Sequence, residues 1–302
     1  MKSLLQKLIK HHVFEHLFFL VLAVMAYLLR NERLLADSSY YFFKTVNYEA
    51  FWIEHNRLIL ILPELAPLIG TYLKLSLSKL VTLYSLGHVL FFYLVFIISR
   101  YVYGNEYAGI LVLLTQTLGI KSGFFTPMFE LYYASGLLVI IGSFLKSDKV
   151  IEWKHWIIMW LLTVLIASAH FFAVSLLVAI IAFHITETRK IAFRYLMPII
   201  LITVGVVVFK KFNISDYEQG KIDAFLNGMA SLEFNLDNVI SRFNFMMEHY
   251  KAFLLLSGVL AMILTVSKRW LLLFLVLGSY VILLVMISVS YPSFDPSRYQ
   301  EQ

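Results

Sequence analysis

Residues 58–73 read LILILPELAPLIGTYL, an apolar run broken by Pro63, Glu64, Pro67 and Gly70 and fenced by Arg57 and Lys74. The run nearly reaches the length of about 20 apolar residues that a bilayer crossing needs. Whether it crosses decides the topology of the whole chain. If it spans, the chain crosses ten times; if it lies in the interface, the chain crosses nine times and every later loop changes side. The Pro-Glu-Leu-Ala-Pro core argues for an interfacial or re-entrant helix, because backbone amides freed by proline are costly against lipid.

The composition explains why crossings are the question at all. Of the 302 residues, 60% are hydrophobic and only 15% are charged, against about 25% charged in ordinary soluble domains. A soluble domain of this size could not hide that much apolar surface. The expected fold is therefore all-α, a polytopic transmembrane protein with a single integral-membrane domain over 1–302. Spans are predicted at 13–30, 80–99, 107–120, 128–145, 155–171, 172–186, 195–209, 252–267 and 270–290. Aromatic residues make up 16% of the chain, which suits many interfacial crossings. The absence of cysteine excludes disulfides, thiolate metal sites and cysteine nucleophiles.

The net charge of +6 lies in short clusters between apolar runs. Such clusters are orientation signals, so nucleic acid is not an expected partner. The first run ends Tyr27-Leu28-Leu29-Arg30 without a small-residue cleavage site, which makes it a first span rather than a removed signal. Totals of Lys and Arg do not separate the two topologies. The nine-span arrangement, however, puts the compact basic loops inside: Arg100, then Lys146, Lys149 and Lys154, then Arg189, Lys190 and Arg194, then Lys268 and Arg269. The N-terminus is then cytoplasmic. The outer face collects a first loop at 31–79 with an interfacial helix, the turn 121–130, the turn at His170, and a long loop at 210–251. The second half of that loop has apolar residues at helical spacing, which predicts an amphipathic helix lying on the membrane.

Ionisable groups at such depths are expensive enough that each needs a reason. Asp37 follows the first span in LLADSSYYFF (34–43), ahead of Tyr40 and Tyr41, and Glu130 opens the fourth in Phe129-Glu130-Leu131-Tyr132. Each could simply favour the positive end of a helix dipole. Placed on one face, the two carboxylates could also supply a general base and a base-orienting or metal-binding partner. His170, in Ala169-His170-Phe171, falls on the same face, where a hydrogen-bonded interfacial histidine is the ordinary explanation. His88, inside the second span, reads as a buried packing or hydrogen-bonding residue. Arg57, Arg298 and the Lys210-Lys211 pair add cations that could hold a phosphate or anchor loops to headgroups. No HExxH, GxSxG or glycine-rich phosphate loop is present.

An outer-face Asp soon after the first span, a Pro-interrupted segment in a long first loop and an acid at the second outer turn resemble the GT-C glycosyltransferases. The matching residues are Asp37 in Ala36-Asp37-Ser38-Ser39-Tyr40-Tyr41, the run Leu62-Pro63-Glu64-Leu65-Ala66-Pro67, and Glu130 in Pro127-Met128-Phe129-Glu130. Arg298-Tyr299 resembles an Arg-Tyr pair that precedes a late span in such enzymes. The first acidic site departs from the family in being a lone Asp, and the chain ends at Gln302, which suggests a minimal or truncated version.

The resemblance implies an inverting transfer of sugar from a polyprenyl-phosphate carrier at the outer face of a bacterial inner membrane, like protein O-mannosyltransferases or aminoarabinose transferases. Asp37 would be the base. Glu130 and His170 would share the catalytic site, with Glu130 positioning the acceptor or a divalent metal ion. Tyr40, Tyr41, Arg57, Arg298 and Tyr299 would contact the lipid-linked sugar. Two alternatives stand beside the enzyme: a non-catalytic scaffold or assembly subunit of a larger membrane complex, and a small transporter. The second is disfavoured because the broken segment has no counterpart in the second half.

Overall fold

The structure is a computed structural model describing residues 13–117, 124–147, 153–188, 193–230, 251–290 and parts of 240–248. It is all-helical, with no strand among the described residues. The chain divides into two compact units, Met1–Asn213 and Ile214–Gln302. The first holds α1 (Val13–Leu28), α2 (Asp37–Tyr48), a 3-10 turn (Leu58–Leu60) running into α3 (Ile61–Tyr72), and α4 (Leu77–Ile97), which continues as a π turn (Ile98–Val102). It continues with α5 (Ala108–Thr117), α6 (Glu130–Lys146), α7 (Trp153–Ala169), α8 (Phe171–Thr188) and α9 (Phe193–Phe212). The second unit holds α10 (Asp216–Ala230), α11 (Lys251–Val266) and α12 (Trp270–Ser290), with α10 and α11 each packed on α12.

Every apolar run read as a span coincides with a helix to within a few residues. One of them, Leu77–Val102, is long and apolar enough to cross a membrane; its 26 residues rise about 39 Å at 1.5 Å each. Val13–Leu28, Ala108–Thr117 and Trp153–Ala169 are apolar but shorter. The long loop carries a helix in its first half, α10, that was not expected there. Residues 231–239, where the amphipathic helix was to begin, lie outside the described residues. The described part of 240–248 is helical.

The core of the first unit forms where α4, α6 and α7 meet, around Phe92, Phe96, Ile141, Phe144, Met159 and Ile166. Helix α1 runs antiparallel to α4. Near its start His16 reaches the hydroxyls of Tyr93 and Tyr101, and near its end the Ala26 carbonyl accepts from Ser85 Oγ.

The Leu58–Leu73 run is helical from Ile61 and short, and it lies along α4. Pro63 falls in its first turn, where the missing N–H would have had no partner anyway. Close approach to α4 needs small residues. A Cβ added at Gly87 would come within 2.8 Å of the Ala66 Cβ, a contact that no larger side chain could make. Ahead of the helix, the turn Leu58–Leu60 wedges between α6 and α7, with Ile59 and Leu60 fully buried. This wedge aims Arg57 at the start of α6.

Candidate functional site

The quartet Tyr40 to Phe43 does not form one aromatic wall. At 3.6 residues per turn, α2 turns Ser38, Tyr41, Phe42 and Thr45 inward and leaves Tyr40, Phe43, Lys44, Asn47 and Tyr48 outward. The outward set lines an open pocket. Lys44 Nζ stands 4.6 Å from the Trp52 ring centre and 5.4 Å from those of Tyr40 and Tyr48, within the range of cation–π attraction. Tyr48 and Trp52 stack at 4.8 Å.

Beneath these rings sits Glu54, which sequence reasoning had not singled out. Its Oε1 accepts from Tyr40 OH at 2.6 Å and from Trp52 Nε1 at 2.8 Å, and its Oε2 accepts from Tyr41 OH at 3.2 Å. Burial works against the ionised carboxyl. The three hydrogen bonds outweigh it and hold the Glu54 pKa below the ordinary range. Tyr41, buried and facing both Glu54 and Glu130, is pushed upward, chiefly by desolvation. The phenol therefore stays protonated and works as a donor.

Glu130 opens α6 as expected, and its partner is Arg57, with Nη1 2.5 Å from Oε1. Both side chains are largely shielded, at 11% and 13% exposure, so the pair is worth more than a surface salt bridge. Next to Arg57, Asn56 Nδ2 donates to the Asn213 carbonyl at 2.8 Å. Lys210 Nζ donates to the Ser168 carbonyl at 2.9 Å, where a cation complements the negative end of α7. These bonds bring the 51–57 loop, the start of α6, the α7–α8 turn and the end of α9 to one end of the first unit.

His170 lies in that α7–α8 turn. Its Nδ1 accepts from the Phe172 N–H at 3.3 Å and its ring stacks on Phe172 at 5.1 Å, while its carbonyl starts α8. That is the role of a turn residue. Asp37 occupies the exposed first turn of α2, and among the described residues no side-chain hydrogen bond or ion pair involves its carboxyl. Tyr40 and Tyr41 follow it by three and four residues, which puts them on its side of the helix at about 5–6 Å between Cβ atoms. The structure thus joins Tyr40, Tyr41, Arg57 and Glu130 through Glu54 and Tyr41. Asp37 stands one turn away, and His170 sits in its own turn. Arg298 and Tyr299 lie outside the described residues.

Behind the pocket is a second polar cluster, also unforeseen. Arg33 is fully buried yet has no carboxylate partner among the described residues. Its Nε donates to the Phe124 carbonyl at 2.7 Å, its Nη1 to the Ser85 carbonyl and Oγ at 2.6 and 2.8 Å, and its Nη2 to His88 Nδ1 at 2.8 Å. The guanidinium also lies 4.3 Å from the Phe124 ring centre. Burial pulls its pKa down to about 10, so it remains charged at neutral pH. Since arginine can only donate, His88 must accept at Nδ1 and carry its proton on Nε2. The hydrogen-bonding reading of His88 holds, and the RNER turn that supplies its partner was the overlooked signal.

A divalent metal does not fit the groups present. Among the described residues no three His, Asp or Glu side chains gather at ligating distance, and Glu130 is engaged by Arg57. No step is therefore routed through a metal. No protein-family model, curated protein or solved structure matches this chain.

Proposed function

We propose that the chain is a multi-pass integral-membrane glycosyltransferase of the GT-C kind, acting at the end of the first unit that carries Tyr40, Tyr41, Glu54, Arg57 and Glu130. The membrane reading is supported by the surface. Leu17, Leu20, Val21 and Val24 on α1, Leu90 and Leu94 on α4, Val204 and Val208 on α9, and Leu255, Met262 and Ile263 on α11 are all exposed. Apolar surface on that scale needs a lipid or protein cover. The nine-span topology, with a cytoplasmic N-terminus in a bacterial inner membrane, belongs to the same proposal.

The observation that carries the transferase reading is an open pocket lined by Tyr40, Phe43, Lys44, Asn47 and Tyr48, with Glu54 bonded to the Tyr40 hydroxyl beside it. Tyr40 and Tyr48 offer flat apolar faces to a sugar, while Lys44 and Asn47 offer polar edges. Arg57 would exchange its carboxylate for the phosphate of a polyprenyl-phosphate sugar, whose geometry matches the guanidinium fork. Asp37, exposed one turn from Tyr40, would take the proton of an acceptor hydroxyl. The acceptor oxygen then bonds to the anomeric carbon, the carbon–phosphate oxygen bond breaks, and the lipid phosphate leaves with inversion.

One observation favours a second reading, a non-catalytic subunit of a membrane complex: the charges of the cluster are already matched within the chain, Arg57 by Glu130 and Glu54 by three donors. Thermal unfolding in detergent with farnesyl phosphate as probe separates the two. The transferase reading expects stabilisation by farnesyl phosphate, none by farnesol, and loss of the effect in Arg57→Gln. Equal responses to phosphate and alcohol, or none, would leave the subunit reading.

A further inference from the structure

Helix α2 carries Tyr40, Phe43, Lys44, Asn47 and Tyr48 at the spacing of a single helical stripe, and these five residues line the open pocket. Lys44 is the one charged residue among them. A carboxylate would be the ordinary partner for its ammonium, yet among the described residues none forms an ion pair with it. Its Nζ rests instead over three rings, 4.6 Å from the centre of Trp52 and 5.4 Å from those of Tyr40 and Tyr48.

Glu54 explains why rings rather than a carboxylate receive this cation. Its Oε1 accepts from Tyr40 OH and Trp52 Nε1, and its Oε2 accepts from Tyr41 OH. Hydrogen bonds at the polar edges of Tyr40 and Trp52 fix both rings and polarise them toward their faces. The carboxylate therefore orients the rings, and the ring faces hold the ammonium by cation–π attraction. Tyr48, stacked on Trp52 at 4.8 Å, completes the support.

Two cations at this end of the unit are thus held in different ways. Arg57 faces Glu130 in a shielded ion pair, and drawing it away strands a carboxylate. Lys44 leaves only ring faces behind. A cation–π contact at an accessible site is weak, and a phosphate oxygen offers the ammonium a charge-assisted hydrogen bond instead. The lysine stem is flexible and its head has three donors, so it can turn from the rings to an anion while the helix stays in place. Asn47 adds an amide donor on the same wall. Phe43, 41% exposed, adds an apolar surface for the group that the phosphate esterifies.

We infer that Lys44 is an anion-binding residue, held in reserve over the Tyr40, Tyr48 and Trp52 rings, which takes the phosphate of an organic phosphate ester entering the pocket. The ester is a lipid headgroup or a soluble organophosphate, and both present the same oxyanion. A place in sugar transfer, receiving the carrier phosphate ahead of Arg57, rests on the proposed function; the anion site does not.

Trp52 reports the event, because the ammonium leaves its ring. The experiment follows Trp52 fluorescence in the full chain, taken as the difference from Trp52→Phe. Glycerol 1-phosphate is added to the protein in detergent micelles, and phosphatidic acid to the protein in phosphatidylcholine nanodiscs. A saturable change in at least one arm is expected, and the responding arm names the source of the phosphate. Lys44→Gln should weaken binding at least about tenfold, as expected for loss of one hydrogen bond to a charged group. Lys44→Arg should restore it to within a few-fold. Unchanged affinity in Lys44→Gln, or no saturable response to either ester, would overturn the inference. So would a change no larger than sodium chloride gives at equal ionic strength, or a response to tetramethylammonium in place of phosphate. Loss of farnesyl phosphate stabilisation in Arg57→Gln, with ester binding intact in Lys44→Gln, would refute Lys44 and leave the transferase reading standing. Ester binding that depends on Lys44, without stabilisation by farnesyl phosphate, would do the reverse.

Discussion

Two charged clusters at the same end of the first unit handle their cations in opposite ways. Arg33 is completely buried and surrounded by main-chain carbonyls, a serine and a neutral histidine. Arg57 lies near the surface and faces a carboxylate. The first arrangement ties the turn after α1 to α4 and to the segment before α6, and nothing in it can be exchanged without orphaning a buried group. The second faces one carboxylate, the kind of partner that another anion can replace. A buried polar group satisfied by backbone serves the fold, whereas a shielded but reachable ion pair is available to a ligand.

The largest effect should come from breaking the first cluster. Arg33→Ala leaves the Ser85 and Phe124 carbonyls and His88 Nδ1 unsatisfied in the core, and each orphaned group costs about 1–3 kcal/mol. Chemical unfolding in detergent should show a loss of at least about 3 kcal/mol, with Arg33→Lys recovering only part of it. A loss under about 1 kcal/mol would mean that Arg33 is not the tie described.

The Arg57–Glu130 pair should give a smaller and non-additive effect. Arg57→Ala and Glu130→Ala each strand a charge that is nearly shielded and should cost about 1–3 kcal/mol. The double variant should cost less than the sum, and the cycle measures their coupling. Simple additivity would show that the two do not interact in solution.

Glu54 distinguishes the surface cluster by pH. Its folded pKa lies below the unfolded value, so its contribution is present above the unfolded carboxyl range, about pH 4.3, and is lost as pH falls through the folded value. Glu54→Gln should flatten the acid limb of a stability–pH profile. The smallest change should follow Asp37→Asn. An exposed first-turn acid contributes about 0.3–1 kcal/mol through the helix dipole, so unfolding should barely move. Under the transferase proposal the same variant loses sugar transfer, and transfer at full rate would remove Asp37 from the mechanism.

What could be read in the chain was periodic and local. The apolar helices appear where apolar runs predicted them, because each run is long enough to declare its own backbone state, whereas the polar helices α2 and α10 lie in stretches read as loop. The short helix at 61–72 was legible only in part: Pro63 falls in the first turn, where a missing N–H costs nothing, but Pro67 lies inside a continuous helix that its local propensity would interrupt. Glu130 at the start of α6 and the hydrogen-bonding role of His88 were legible for the same reason. The site itself was only half legible. Tyr40, Tyr41, Arg57 and Glu130 were in view, but Glu54, which joins two of them, was not. It lies in an irregular loop with no pattern to mark it, and its partners come from a helix that sequence alone left as loop.

By itself the sequence determined the all-helical class, the positions of the apolar helices and the scarcity of charges, because burial of apolar area and backbone satisfaction act residue by residue. Only the tertiary structure decided which charges are paired, which aromatic rings turn outward, and that Arg33 and Glu64 sit in the core without a counter-ion among the described residues. Those outcomes depend on contacts between residues far apart in the chain, such as Arg33 with Phe124 and Arg57 with Glu130. The energy of such a contact exists only once the helices have packed.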